Sequence, residues 1–283
     1  MVVFEFRRKQ SIYYRLLFSS LDIQRKHQED LECIRKFRLM DAMFVSKVFE
    51  DKKCAELLLH VILNRNDLIV QEVHGQYDIN NLQGRSIRLD ILAVDGTGKV
   101  YNVEVQRSNG GAVPKRARYN SSLLDANVTE PGDDYEKLCE SYVIFITEND
   151  VLKSNLPIYH IDRIIRETGE YFGDDAHIVY VNAKIRDNSA LGKLMHDFFC
   201  KDSRDMKYIV LAERVHFFKK DQKGVATMCK AMEDMRKEER MEAEYEAHLE
   251  TAKRMLNDGI LAYEKIAEYT GLSIEDIKSL KEN

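Results

Sequence analysis

The chain has 283 residues, 44% of them apolar and 32% charged, with a formal net charge of -5. That composition can bury a sizeable core, and it excludes global disorder, collagen-like repeats and linker-dominated chains. No run approaches the roughly 18 uninterrupted apolar residues of a membrane helix, and the overall charge carries no nucleic-acid footprint.

Residues 1–38 hold nine Lys/Arg against five Asp/Glu and read as a basic, helical N-terminal arm. Arg7, Arg8 and Lys9 follow the first short apolar patch instead of preceding it, the wrong order for a secretory signal. The cysteines (Cys33, Cys54, Cys139, Cys200, Cys229) are scattered and never form C-x-x-C. They predict reduced thiols in a cytoplasmic protein, and no Cys or His pair reads as a zinc-ligand pair.

Residues 39–229 alternate helix-like and strand-like segments and form the expected central domain. Met43, Phe44, Val48 and Phe49 open an apolar pattern that Leu57, Leu58, Val61 and Ile62 continue at helical spacing, up to a stop at Asn64–Asp67. Three extended segments follow, at 68–79, 86–95 and 99–106. Pro114 then suits the first turn of a helix, and YVIFIT (142–147) and HIVYVN (177–182) read as further strands. The order helix, three strands, helix, strand predicts a mixed α/β core. Residues 230–283 form an acidic helical tail with nine Lys/Arg against fourteen Asp/Glu, so the tail alone accounts for the net -5.

The chemistry is concentrated in RLDILAVDGTGKVYNVEVQ, residues 88–106. Two strand-like runs flank Asp95-Gly96-Thr97-Gly98, a turn signal. A loop over Gly96–Gly98 pairs Val94 with Val100 and Leu92 with Asn102, and carries Asp90 opposite Glu104. Directly opposed side chains stand only about 4.5–5.5 Å apart, where two carboxylates repel. Gln106 shares their face, while Ile91, Val103 and Val105 point to the other, which is expected to be the buried one. A hard divalent cation such as Mg²⁺ would relieve the repulsion and keep waters for substrate phosphates. The alternative is a solvent-facing hairpin on which Asp90 pairs with Arg88 or another base. Lys115, Arg116 and Arg118 crowd the start of the next helix, a place to grip a phosphate backbone. Tyr119 either joins Arg116 at the phosphate or packs on the sheet.

These residues carry a resemblance. Asp90 followed by Glu104-Val105-Gln106, with INNLQGRSIRLDILAVD, KVYNVEVQR, PKRARYNSSLLDA and SYVIFITENDVL, resembles the PD-(D/E)XK nuclease superfamily. Within it, the chain looks like the bacterial recombination-promoting nuclease or putative transposase family, over about residues 39–230. The resemblance implies a restriction-endonuclease-like α-β-β-β-α-β fold. It also implies a Mg²⁺-dependent DNA endonuclease (Mn²⁺ substituting) linked to recombination or transposition. Asp90 and Glu104 would ligate the metal with the Val105 carbonyl, and Gln106 stands where the superfamily often has lysine. Glu56, on the helix before the strands, is a further acid that the superfamily pattern offers to the metal; Glu72 and Gln76 are weaker candidates. Asn120 departs from the family, where an aromatic residue commonly stands.

In the tail, KAMEDMRKEERMEAEYEAHLETAKR (230–254) is charge-rich and lacks a clean heptad. IAEYTGLSIEDIKSL then predicts two short helices about Thr270–Ser273, with Ser273 and Asp276 as a near capping box. The hairpin is helix-turn-helix-like, but Glu275 and Asp276 would meet phosphates with negative charge, which favours homo-oligomerisation or partner docking. Two readings result: a metal-dependent deoxyribonuclease, or a nuclease-fold scaffold that binds DNA or protein and whose catalysis has decayed.

Overall fold

The computed structural model describes residues 24–81, 84–129, 132, 134–259 and 261–282. The chain divides into two compact units, with the boundary between Cys229 and Lys230. Much of the expected N-terminal arm, residues 1–23, lies outside the described residues. Its remainder is a helix, α1, over 24–36, in which Ile34 is fully buried. The carbonyls of Arg35 and Phe37 accept the Lys219 ammonium, which fastens this segment to the first unit.

The apolar pattern of 43–62 is two helices, α2 (Ala42–Phe49) and α3 (Lys52–Leu63), where the sequence pattern reads as one. The break follows from Asp51, whose side chain accepts the amides of Lys53 and Cys54 at 3.0 and 3.2 Å and so starts a new helix. Asn64 ends α3 in the left-handed conformation, at φ 51°.

Strands β1 (Val70–Ile79), β2 (Ile87–Asp95) and β3 (Val100–Gln106) form an antiparallel meander, as short connections require. α4 (Pro114–Val128), opened by Pro114, crosses back so that β4 (Ser141–Thr147) lies parallel to β3. β5 (Ile158–Ile161) and β6 (Ala176–Asn182) complete a six-stranded mixed sheet in the order β1-β2-β3-β4-β6-β5. The apolar run of β4 fits a central strand covered on both faces. On one face α4 sets Ala117, Leu123 and Leu124 against Leu92, Val143, Phe145 and Tyr180. On the other side α2 and α3 lie along β1–β3. Gly75 of β1 is required there, because a Cβ would stand 2.7 Å from the Ser46 carbonyl oxygen of α2. α5 (Ala190–Phe199) and α6 (Ile209–Lys220) continue this layer; Phe198 stacks on Phe49 and Phe218 meets Phe44 edge-on. This is the restriction-endonuclease-like α/β architecture.

The long helix α7 (Gln222–Asp258) begins in the first unit and ends in the second. In the second unit α8 (Tyr263–Thr270) and α9 (Ile274–Glu282) share a small core of Ala252, Ile266, Leu272 and Ile277. The Ser273 hydroxyl accepts the Asp276 amide at 3.0 Å, the capping expected from sequence. Among the described residues no helix is long and apolar enough to cross a membrane.

Candidate functional site

The site is built on the β2–β3 hairpin. The turn is fixed by Asp95, nearly buried, whose carboxylate accepts the amides of Thr97 and Lys99 and the hydroxyls of Thr97 and Tyr101. Burial opposes its charge, but the hydrogen bonds from Thr97 and Tyr101 hold its carboxyl below the usual range. The ladder pairs Val94 with Val100, Leu92 with Asn102 and Ile91 with Val103, the predicted register. Beyond Ile91 the backbone pairing stops. There the Asp90 side chain takes over, accepting the Val105 amide at 2.8 Å. A strand residue directs its N–H and C=O to the same side, so the Val105 carbonyl faces the Asp90 edge as well.

Glu104 stands beside it with no exposed side-chain surface. The Arg116 guanidinium of α4 donates to its Oε2 at 2.8 Å, and the Gln106 amide makes a long contact to the same atom at 3.5 Å. Its Oε1 is buried and has no hydrogen-bond partner among the described residues. Burial raises the Asp90 carboxyl, against the Val105 amide. Burial, and then the charge of Asp90, raises the Glu104 carboxyl, with Arg116 opposing. The pair therefore holds protons well above the ordinary carboxylate range. A buried and a half-buried carboxylate, the buried one with an unsatisfied oxygen, form an all-oxygen donor set that fits a hard divalent cation.

The alternative of a solvent-facing hairpin does not hold. The acids do not lie on a solvent face, because α4 covers them; and Arg88 does not pair with Asp90 but with Asp78, at 2.7 and 3.1 Å. Glu56 is not brought to the pair. Its carboxylate accepts the Val70 amide at 3.0 Å at the start of β1, and no group of Glu56, Asp90 and Glu104 gathers ligand atoms within 4.8 Å. Glu72 is exposed beside His74, and Gln76 sits at φ 52° on β1. Gly111 is needed next to Gln106: a Cβ there would fall 2.0 Å from the Gln106 Oε1.

Lys115, Arg116, Arg118 and Tyr119 line one groove of about 910 Å³ that adjoins the acid pair through Arg116. Tyr119 neither points at a bare phosphate site nor merely packs on the sheet. Its hydroxyl donates to the Arg85 carbonyl at 2.5 Å and accepts the Asn81 amide at 3.1 Å. Sequence reading missed Arg85 and Arg88 of the groove. It named Asn102 and Asn120 but not their burial: both are fully buried with unpaired amide atoms. The signals were present: Asn102 is two residues from Glu104 on one strand, and Asn120 is one helical turn from Arg116.

The expectation that no Cys or His pair has ligand spacing also needs correction. His196 and Cys200 stand four apart on and just beyond α5, and with Asp197 bring ligand atoms within 4.8 Å. Both Asp197 oxygens already accept amides, from Lys207 at 2.7 Å and Tyr208 at 2.9 Å. Burial, then Asp197, pushes the Cys200 thiol up to about 11, so the cluster reads as the lock between α5 and α6.

A family model described as PD-(D/E)XK nuclease family transposase matches residues 42–257, most of the chain and the whole of the sheet. No curated protein and no solved structure matches the chain. The chain belongs to the PD-(D/E)XK nuclease family transposases.

Proposed function

We propose that this protein is a divalent-metal-dependent DNA endonuclease, with Mg²⁺ the cation the donor set suits best and Mn²⁺ able to replace it. The observation that carries the reading is the buried Glu104, with its unsatisfied oxygen, beside the half-buried Asp90, next to a cationic groove that reaches the pair through Arg116. Asp90, Glu104 and the Val105 carbonyl hold the ion. When bound, the ion lowers the pKa of a coordinated water and offsets charge building on the phosphate. Gln106 positions the attacking water through its amide and, being neutral, adds no charge to the transition state. Arg116 supplies the nearest positive charge, 2.8 Å from Glu104. Lys115 and Arg118 hold the phosphate backbone, and Tyr119 props the groove.

A role in transposition or recombination follows from the family. Self-association through the C-terminal helices, and residence in the reducing cytoplasm that the free thiols suit, belong to the same proposal. A second reading, a scaffold without catalysis, is favoured by the neutral Gln106 alone. The test is cleavage of supercoiled plasmid with Mg²⁺, Mn²⁺ or chelator, by the full chain and by Asp90→Ala. Cutting that needs the metal and Asp90 supports the nuclease. An uncut plasmid with either metal supports the scaffold, and equal cutting by the variant removes Asp90 from the site.

A further inference from the structure

The end of α5 brings three metal-binding side chains together. In the run His196-Asp197-Phe198-Phe199-Cys200, the His196 Nδ1 lies 3.5 Å from the Cys200 Sγ and 3.2 Å from the Asp197 Oδ1. Ligand atoms of all three residues fall within 4.8 Å of one another. A tetrahedral zinc ion, with bonds of about 2.3 Å to sulfur and about 2.0–2.2 Å to nitrogen and oxygen, sets its ligands roughly 3.3–3.6 Å apart. The nitrogen–sulfur and nitrogen–oxygen separations therefore suit a shared ion.

A nucleophilic triad fits less well. There the imidazole meets the nucleophile with one ring nitrogen and the carboxylate with the other. Here the same nitrogen, Nδ1, faces both the thiol and the carboxylate, so it has one lone pair or one proton for two partners. A cation among the three resolves that conflict, because each ligand then turns a lone pair toward it.

The surroundings complete the site. Asp197 is fully buried, and the Lys207 and Tyr208 amides that lock α5 to the start of α6 take one lone pair on each of its oxygens. Each oxygen keeps a second lone pair, and hydrogen bonds of this kind hold a ligating carboxylate in place. The Cys200 thiol, protonated without a metal, gives up its proton to become a ligand. His196 and Cys200 are half-buried and border an open cavity of about 730 Å³, which provides an entry path and room for water at a fourth position. One thiolate and one carboxylate neutralise a divalent ion, so Lys201 and Lys207 of the same cavity do not oppose it.

We propose that His196, Asp197 and Cys200 hold a zinc ion through Nδ1, a carboxylate oxygen and Sγ, tying the end of α5 to the start of α6 with the fourth position open to the cavity. Thiolate and imidazole ligands select zinc over Mg²⁺. The site is chemically distinct from the Asp90–Glu104 pair and does not rest on the nuclease reading.

The test uses the full chain, stripped with chelator, and Co²⁺ as the spectroscopic probe. One equivalent of Co²⁺ is expected to give tetrahedral visible bands and a near-ultraviolet thiolate-to-cobalt band, bleached by Zn²⁺ and not by excess Mg²⁺. Cys200→Ser removes the thiolate band with unchanged circular dichroism, whereas Cys139→Ser, at another half-buried free thiol, keeps it. The acid pair contains no sulfur and gives no such band. His196→Ala weakens Zn²⁺ binding at least about ten-fold, the least that loss of an outer partner alone costs. Zn²⁺ at about a hundred times Kd raises the wild-type Tm by about 5–10 °C and leaves that of Cys200→Ser in place. Should Cys200→Ser fail to fold, His196→Ala, at a partly exposed position, decides the matter. A wild type without the thiolate band, a band that survives Cys200→Ser, or a Zn²⁺ affinity unmoved by His196→Ala overturns the proposal.

Discussion

Arg116→Ala probes the link between the fold and the acid pair. The Arg116–Glu104 pair is 2.8 Å long; the glutamate side chain is fully buried and the arginine 36% exposed. Without the guanidinium, the carboxylate pair holds its protons to a higher pH, because burial and mutual repulsion go uncompensated. Keeping one glutamate protonated when the unfolded chain would ionise it costs at most about 3.7 kcal/mol at pH 7 and about 1 kcal/mol at pH 5. The folded state then binds more protons than the unfolded state, so stability falls as pH rises. The wild type already carries this slope up to about pH 8, because its own Glu104 carboxyl is pushed up to about 8. The variant also loses the hydrogen bond to the Gly111 carbonyl and the packing of the guanidinium over Phe145. Those losses are worth about 1–2 kcal/mol at any pH. Urea unfolding in chelator should therefore show a penalty of about 1–2 kcal/mol from pH 5 to 7 that grows only above about pH 8, by up to about 1.4 kcal/mol per pH unit until the variant's own carboxyl ionises. In a Glu104→Gln background, Arg116→Ala should lose this growth with pH. A penalty equal at pH 5 and pH 9.5 would refute the idea that Arg116 acts by compensating the buried Glu104 carboxylate.

Asp90→Asn should stabilise the chain in chelator at pH 8 by at least about 1 kcal/mol, since a pKa unit corresponds to about 1.4 kcal/mol, and abolish any rise in Tm with Mg²⁺; a destabilised variant would mean the pair does not repel. Asp95→Ala leaves two amides, a threonine hydroxyl and the Tyr101 hydroxyl without their acceptor, and should cost about 2–4 kcal/mol in urea unfolding at neutral pH. Gly111→Ala meets the movable end of Gln106 and not backbone, so it should cost less than about 1 kcal/mol yet lower the cleavage rate. A large loss of Tm with unchanged turnover would show that Gln106 has no part in the reaction.

The hairpin register was legible because a turn of this length has few ways to close, and period-two alternation then assigns every residue to a face. The Asp95 lock that holds the turn was not legible, since Thr97, Lys99 and Tyr101 become its donors only once the strands pair. The two-helix start was hidden because the apolar pattern runs through Glu50 and Asp51 unbroken, and only the Asp51 cap divides it. β5 escaped notice as four partly exposed residues on a sheet edge, too short for alternation to register. Arg88 was the nearest base to Asp90 in sequence and shares its strand face, but Asp78 stands directly opposite it on β1 and takes its guanidinium. The base that reaches the pair comes from α4, and only the crossover between β3 and β4 could reveal it.

The polar residues whose burial was missed carry the more general point. Leu92, Val143 and Phe145 show that the α4 face of the sheet is a working hydrophobic core. Asn102, Glu104 and Asn120 interrupt that core, fully buried and with unpaired polar atoms. Each unpaired buried group costs about 1–3 kcal/mol, and apolar residues of similar size would pack better. Local rules and packing agree elsewhere on this sheet, in the turn, the strand alternation and the Pro114 helix start. Where the turn, the alternation and the helix start agree with the packing, a stripe of buried unpaired groups beside a carboxylate pair departs from stability. The stripe contains the groups that a ligand would satisfy, and the groove beside it is the route by which a phosphate would arrive.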